Sequence, residues 1–285
     1  MDNEIAFIGE PIRKQKRKSI KQNRFFKTEA KEALFAADNY YKAVLSHFIC
    51  GATCGGFIYL AQLAPKLISA VMTGGTAKAL TGVICALLYI LFAVFFCLFF
   101  AGVYRLATEL ESEPDVERGK PELTKMSVML TPVADISSFR RTLGISLVLL
   151  SALTLSALPS VFVISQSAKL GLPPAATVAV NAAVVFCSVF SALFFIFLSA
   201  PLPYVINGDK DIKTFAAIKT SAAASLTGMW RLYSLLISFI PLILLSAATF
   251  GVLLFAYTLP YMTVSFARAG GYLYNLYVTE RKFEK

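Results

Sequence analysis

LYSLLISFIPLILLSAATFGVLLFAYTLPYMTVSFA, residues 232–267, is a run of thirty-six residues without a charge, set between Arg231 and Arg268. A helix rises about 1.5 Å per residue and the hydrocarbon layer of a bilayer is about 30 Å thick, so about 20 residues span it. The run is too long for one crossing and nearly long enough for two. Thr249, Phe250 and Gly251 lie at its middle, where a helical hairpin has to turn. Read as a hairpin, it makes the number of crossings even and returns the C-terminus to the side from which the run began.

Composition agrees with a membrane protein: 57% of residues are hydrophobic and 15% charged, and the mean hydropathy is +0.67. A soluble domain needs more polar surface. Four further charge-free stretches occur at residues 43–64, 79–104, 142–164 and 177–206. With the hairpin they predict an all-α, polytopic bundle of six spans arranged as three helical hairpins.

Lysines and arginines are kept on the cytoplasmic side of a membrane. Of the twenty-seven in this chain, twenty-four fall in residues 1–42, the loop 105–141, the loop 207–231 and the tail 268–285. Only Lys66, Lys78 and Lys169 lie in the intervening connections. Both termini and both long loops are therefore expected in the cytoplasm. If residues 232–267 crossed once, Arg268, Arg281, Lys282 and Lys285 would lie outside. The expected organisation is a cytoplasmic arm and interfacial amphipathic helix over 1–42, a membrane domain over 43–267, and a cytoplasmic tail over 268–285. No cleavable signal peptide is expected, because residues 1–42 lack an uninterrupted apolar stretch.

Within the arm, Arg13, Lys14, Lys16, Arg17, Lys18, Lys21 and Arg24 form a basic cluster. Next to an anionic membrane surface each such cation contributes on the order of 1 kcal/mol. A tethered arm beside a bilayer already has its anion, so lipid headgroups rather than nucleic acid are the expected partner. From Thr28 the pattern is helical: Thr28 can cap, Glu29 and Glu32 suit a helix N-terminus, and Ala30, Ala33, Leu34, Ala37 and Tyr41 recur at helical spacing. The loop after the second span carries an acidic block, Glu109, Glu111, Glu113, Asp115 and Glu117. That block is read as a solvated turn, with docking of a basic partner or of the protein's own N-terminal arm as the functional alternative. Residues 126–139 are mildly apolar and are expected along the membrane surface, with Asp135, Ser137 or Ser138 capping the third span.

Candidate sites inside the spans are few. Gly51 and Gly55 form a small-xxx-small pair suited to close helix packing. His47, the single histidine, is read as a hydrogen-bonding group, because no carboxylate accompanies it. Cys50, Cys54, Cys85, Cys97 and Cys187 all fall in spans and are read as small packing residues. No metal site, disulfide framework or cofactor motif is expected. Asp and Glu are absent from all six stretches, which argues against ion-coupled transport, and no general-base constellation exists for an intramembrane hydrolase. Leu202-Pro203-Tyr204 and Leu259-Pro260-Tyr261 each close an even-numbered span. Pro203, Tyr204, Pro260 and Tyr261 are read as structural cytoplasmic corners, with proline bending the helix and tyrosine suiting the headgroup region.

The opening helix Glu29-Ala30-Lys31-Glu32-Ala33-Leu34, followed by Asn39-Tyr40-Tyr41-Lys42-Ala43, resembles that of a bacterial multi-pass membrane family catalogued as domain of unknown function nine-seven-five. The resemblance extends to residues 228–239, ending in Ser238-Phe239, and to Pro260-Tyr261 followed by Ser265 and Ala267. Pro241, where that family often has tryptophan, and Ala269-Gly270, where it has Phe-Tyr, depart from the pattern. The resemblance implies a six-helix integral membrane protein with cytoplasmic termini and no activity; the expected location is a bacterial cytoplasmic membrane. Two function classes follow from the residues: a non-enzymatic component that binds membrane proteins, itself included, or organises lipid; and, as the alternative, a passive transporter, flippase or permease-like subunit lined by hydroxyls, Gln62 and Asn181.

Overall fold

A computed structural model of the chain describes residues 12–36, 38–71, 74–110, 125–134, 136–167, 173–209 and 211–283, with the side chains of 12–21, 76, 77, 133, 167 and 281–283 left outside that description. Among the described residues the chain is helical throughout, with no strand. The order is α1 (Ile12–Phe35), α2 (Asn39–Val71), α3 (Gly75–Glu109), a 3-10 helix (Met126–Val133), α4 (Ile136–Ser167), α5 (Pro174–Leu198), α6 (Leu202–Gly208), α7 (Thr214–Leu226), α8 (Met229–Ile237), α9 (Ile240–Ala248), a π turn (Leu254–Thr258) and α10 (Leu259–Phe283).

Five helical segments are long and apolar enough to cross a membrane: Asn39–Val71, Lys78–Glu109, Ile136–Gln166, Pro174–Gly208 and Met229–Ala248. The second half of the long apolar run, residues 252–267, is helical but is not among the five, because α10 soon becomes polar at Arg268 and beyond. The chain does turn at the expected place. Gly251 N–H reaches Ser246 O (3.0 Å) and Phe250 N–H reaches Ala247 O (3.2 Å), the paired bonds that close a helix when the following residue is left-handed. Phe250 has φ 52° and Gly251 φ 81°.

α2 pairs with α3 and α4 with α5 as antiparallel hairpins. Their outer halves present Tyr59, Leu60, Leu87, Ile90, Val161, Phe162 and Phe186 to the surroundings, as helices do when lipid is their solvent. The closely packed part lies at the other end. One cluster joins Ala30, Ala33 and Leu34 of α1 to Leu106, Ala107 and Leu110 at the end of α3 and to Val264 and Ala267 of α10. A second joins Phe26 to Phe197, Leu232, Leu235, Phe239 and Leu273.

α1 begins at Ile12, sixteen residues before the expected start at Thr28. Lys, Arg and Gln are good helix formers and Thr28 is tolerated inside the helix. Asn23, Phe26, Ala30, Ala33 and Leu34 are buried, so this helix shares the core of the bundle. Its end is held by Asn39, whose Nδ2 donates to Ala33 O at 2.9 Å. Asp38 accepts from Lys42 at 2.7 Å, and that hydrogen bond holds its carboxyl below the ordinary range. The acidic residues Glu111, Glu113, Asp115 and Glu117, and the cap expected at Asp135, lie outside the described residues; Ser137 and Ser138 stand in the first turn of α4.

Small residues mark the closest approaches. Met129 O of the 3-10 helix rests on Gly102 of α3, 2.2 Å from where a Cβ would stand, and Ala200 O sits 2.5 Å from the Cβ position of Gly270. The ring of Phe255 stands 3.2 Å from where a Cβ on Gly51 would lie, whereas a Cβ on Gly55 would meet nothing within 4 Å, so the two glycines of the small-xxx-small pair serve different surroundings. Gly102→Ala and Gly270→Ala are expected to cost about 1–3 kcal/mol each through overpacking against backbone. Gly55→Ala and Gly82→Ala, which meet open space, are expected to be neutral or to stabilise by up to about 1 kcal/mol. Unfolding midpoints of the four variants in one detergent measure the contrast; equal losses at all four positions would contradict it.

Candidate functional site

The described polar groups concentrate where α1, α3, α5, α6, α8 and α10 meet, and prolines explain why. A proline inside a helix removes the hydrogen bond to the carbonyl four residues earlier and its ring pushes that carbonyl aside. Pro201 thereby deprives Phe197 O of its helical donor, and the chain turns before α6. Ser225 Oγ donates to Phe197 O at 2.8 Å and Ser221 Oγ to Leu198 O at 2.7 Å. Both serines are fully buried on one face of α7. Ala200 O, freed by the same turn, accepts from the Tyr104 hydroxyl at 3.0 Å, which also lies 3.2 Å from Phe266 O.

Pro260 removes the donor for Ala256 O. The helix widens into a π turn in which Leu259 N–H reaches back five residues to Leu254 O, and the Tyr40 hydroxyl donates to Ala256 O at 2.7 Å. π turns recur where a helix is interrupted for a purpose. A third break separates α8 from α9 at Ser238 and Phe239, with Pro241 in the first turn of α9. Leu242 N–H bonds to Phe239 O rather than to Ser238 O, and the freed Ser238 O accepts from Lys27 Nζ at 2.8 Å. The same ammonium stands 4.1 Å above the Phe239 ring, a favourable cation–π position. Partial burial lowers the Lys27 pKa from the usual lysine value.

The two tyrosine corners turn inward. Tyr204 donates to Ala267 O at 2.9 Å and Tyr261 to Lys27 O at 3.1 Å. Each hydroxyl is taken by a backbone carbonyl that a broken or closely apposed helix leaves accessible. Around Tyr204 lies a charged cluster: Arg105, Glu109, Arg268 and Glu29 are within electrostatic reach of its phenol. Arg105 Nη2 pairs with Glu109 at 2.6 Å, and Arg105 Nη1 donates to Asn207 Oδ1. Arg268 Nη2 donates to Leu110 O. Arg141 of α4 also acts on Arg105, so three arginines meet two carboxylates; the bonds fasten α3 to α6, and α10 to the residue that follows α3.

Of the basic residues singled out in the arm, Arg24 is exposed on α1; the side chains of Arg13, Lys14, Lys16, Arg17, Lys18 and Lys21 lie outside the described residues. His47 places Nδ1 2.7 Å from Ala43 O and Nε2 2.9 Å from Thr263 Oγ1, tying α2 to α10 with both ring nitrogens engaged. The five cysteines are free thiols, and among the described residues no three of His, Cys, Asp and Glu come together as metal ligands. Gln62 is exposed on α2 and Asn181 half-buried on α5, on helices of different hairpins. Tyr40, Tyr104, Lys27, Ser221 and Ser225 escaped the sequence reading. The four-residue spacing of Ser221 and Ser225, which puts them on one helix face, was the one available signal.

If Tyr40 serves the carbonyl that Pro260 frees, the two are energetically coupled. Tyr40→Phe is expected to cost about 1 kcal/mol in the native chain. In a Pro260→Ala background, where residue 260 regains its N–H, the same change is expected to cost at least about 0.5 kcal/mol less. A double-mutant cycle of unfolding midpoints measures the difference; strict additivity would show that the hydroxyl does not compensate for the proline. Comparison with family models, curated proteins and solved structures finds no match to this chain.

Proposed function

We propose that this chain is a non-enzymatic component of a bacterial cytoplasmic membrane, which organises anionic lipid or binds other membrane proteins through the end where α1 meets α3, α8 and α10. Both termini lie on the cytoplasmic side, as the lysine and arginine distribution requires with an even number of crossings. The observation that carries the reading is the docking of α1. Gln22 Nε2 donates to Tyr272 (3.3 Å), Asn23 Nδ2 to Ser234 Oγ (2.8 Å) and Lys27 Nζ to Ser238 O (2.8 Å), while Phe26 and Leu34 are buried. A helix bound to the bundle along its second half carries its basic first half, Arg13 to Arg24, as a fixed extension. Held at a membrane surface, those cations attract anionic headgroups without first losing the freedom of a loose tail.

The polar side chains of the site also suit a scaffold. Tyr40, Tyr104, Tyr204, Tyr261, Ser221 and Ser225 each donate to a backbone carbonyl. A hydroxyl committed in this way stabilises a broken helix and is not poised as a nucleophile or acid.

Replacing Arg13, Lys14, Lys16, Arg17, Lys18, Lys21 and Arg24 by Gln in the full-length protein is expected to lower retention of anionic lipid during purification in mild detergent more than tenfold, at about 1 kcal/mol per cation. Lipid mass spectrometry of the two preparations reads this out. Unchanged retention removes the lipid role and leaves protein binding, which crosslinking in intact cells then tests.

A further inference from the structure

We infer that the third hairpin, residues 238–261, does not cross the membrane: it enters from the side on which α1 lies, turns near the bilayer midplane at Phe250, and returns. The inference deepens the membrane reading proposed above and rests on it. Lys27 supplies the depth marker. Its ammonium caps Ser238 O on the first arm of the hairpin and lies over Phe239. Its backbone carbonyl accepts from Tyr261 on the second arm. A protonated amine stays at headgroup level or snorkels to it, so both arms are pinned near that level at Phe239 and Tyr261.

From Phe239 to Phe250 there are eleven residues, about 16 Å of helix, and from Gly251 to Tyr261 there are ten, about 15 Å. Each arm reaches half of the roughly 30 Å hydrocarbon layer. α2 provides a second, independent ruler. Phe255 touches α2 at Gly51, nine residues past Lys42, about 14 Å along the helix. The tip lies four to five residues beyond Phe255, at most about 7 Å further. α2 itself continues to Lys66, twenty-four residues from Lys42, or about 36 Å.

Met229–Ala248 is long enough to span by composition, but its first part is used elsewhere. α8 lies against α1 and α5, with Asn23 on Ser234 and Tyr233 stacked on Phe190 at 4.8 Å. The helix then breaks, and only the nine residues of α9 continue inward. α9 packs chiefly on the π turn, leaving Leu244 66% and Leu245 54% exposed. At the tip, Phe250 is 100% exposed and Val252 71%. A turn emerging into water favours glycine or asparagine at a left-handed position. A fully exposed phenylalanine held at φ 52° suits acyl chains. With four crossings in α2–α5 and a re-entrant hairpin, the charge asymmetry between the two sides is unchanged. The occupant of the exposed α9 face is the acyl-chain layer of the leaflet that α1 contacts.

The chain has one tryptophan, Trp230, which is exposed at the start of α8. Three single-tryptophan proteins test the depth: the native chain, and Trp230→Phe combined with either Phe250→Trp or Tyr89→Trp, the last marking the middle of α3. Each is reconstituted into phosphatidylcholine–phosphatidylglycerol vesicles carrying bromines either near the headgroup or near the chain end. Tryptophan at 250 is expected to be quenched most by the deep bromines, like that at 89, and Trp230 most by the shallow ones. Deep quenching at 89 with shallow quenching at 250 would place the tip at the far surface and overturn the re-entrant hairpin alone. Absence of quenching at all three positions would overturn the membrane reading itself. Should the position 250 variant fail to accumulate, Val252→Trp reports the same depth.

Discussion

Backbone carbonyls released by proline, in a part of the chain that has little water to offer them, are the constraint on which the rest of the structure depends. A helix in a bilayer satisfies its own backbone, and a proline-broken one does not. At Pro201, Pro260 and the break before Pro241 this chain supplies the missing donors from other helices: serines of α7, tyrosines at the start of α2 and the end of α3, and a lysine of α1. An unsatisfied buried carbonyl costs about as much as a lost hydrogen bond, so each break is tolerated only while its partner helix is docked. The breaks and the docking are one arrangement.

This arrangement divides the molecule in two. Where the donors converge, the bundle has a closely packed core with buried Leu34, Leu106, Leu232, Leu235 and Phe239. Away from it the hairpins are simple, apolar and exposed on their lipid-facing sides. A basic helix that looks like a peripheral arm is thereby an integral member of the core along its second half. The same helix holds the third hairpin, because Lys27 touches both arms.

Much of this was legible beforehand. The turn at Thr249, Phe250 and Gly251 was readable because a charge-free run of that length must double back, and glycine stands where it does. The hairpins α2–α3 and α4–α5 followed from hydropathy alone. The basic cluster and the two Pro-Tyr corners were visible, but their use was not. That the hydroxyls of Tyr204 and Tyr261 meet the carbonyls of Ala267 and Lys27 is a fact of the packing. The start of α1 was misplaced because Thr28 resembles a cap, although helix formers precede it and buried contacts at Asn23 and Phe26 hold the helix together. Gly102 and Gly270 gave no signal at all, since the backbones that crowd them come from Met129 and Ala200.

By itself the sequence determined which segments are helical and apolar, where the last run turns, and on which connections the charge is concentrated. These follow from local quantities: residues per span, charge per loop, and the backbone freedom of a single turn. Only the tertiary structure decided which hydroxyl meets which freed carbonyl, that Lys27 joins both arms of the third hairpin, and that the arm belongs to the core. Those contacts join residues from 23 positions apart, as in Ser221 and Leu198, to 250, as in Gln22 and Tyr272. Hydropathy carries no information about which helix faces meet, because in lipid every apolar face is equally well solvated.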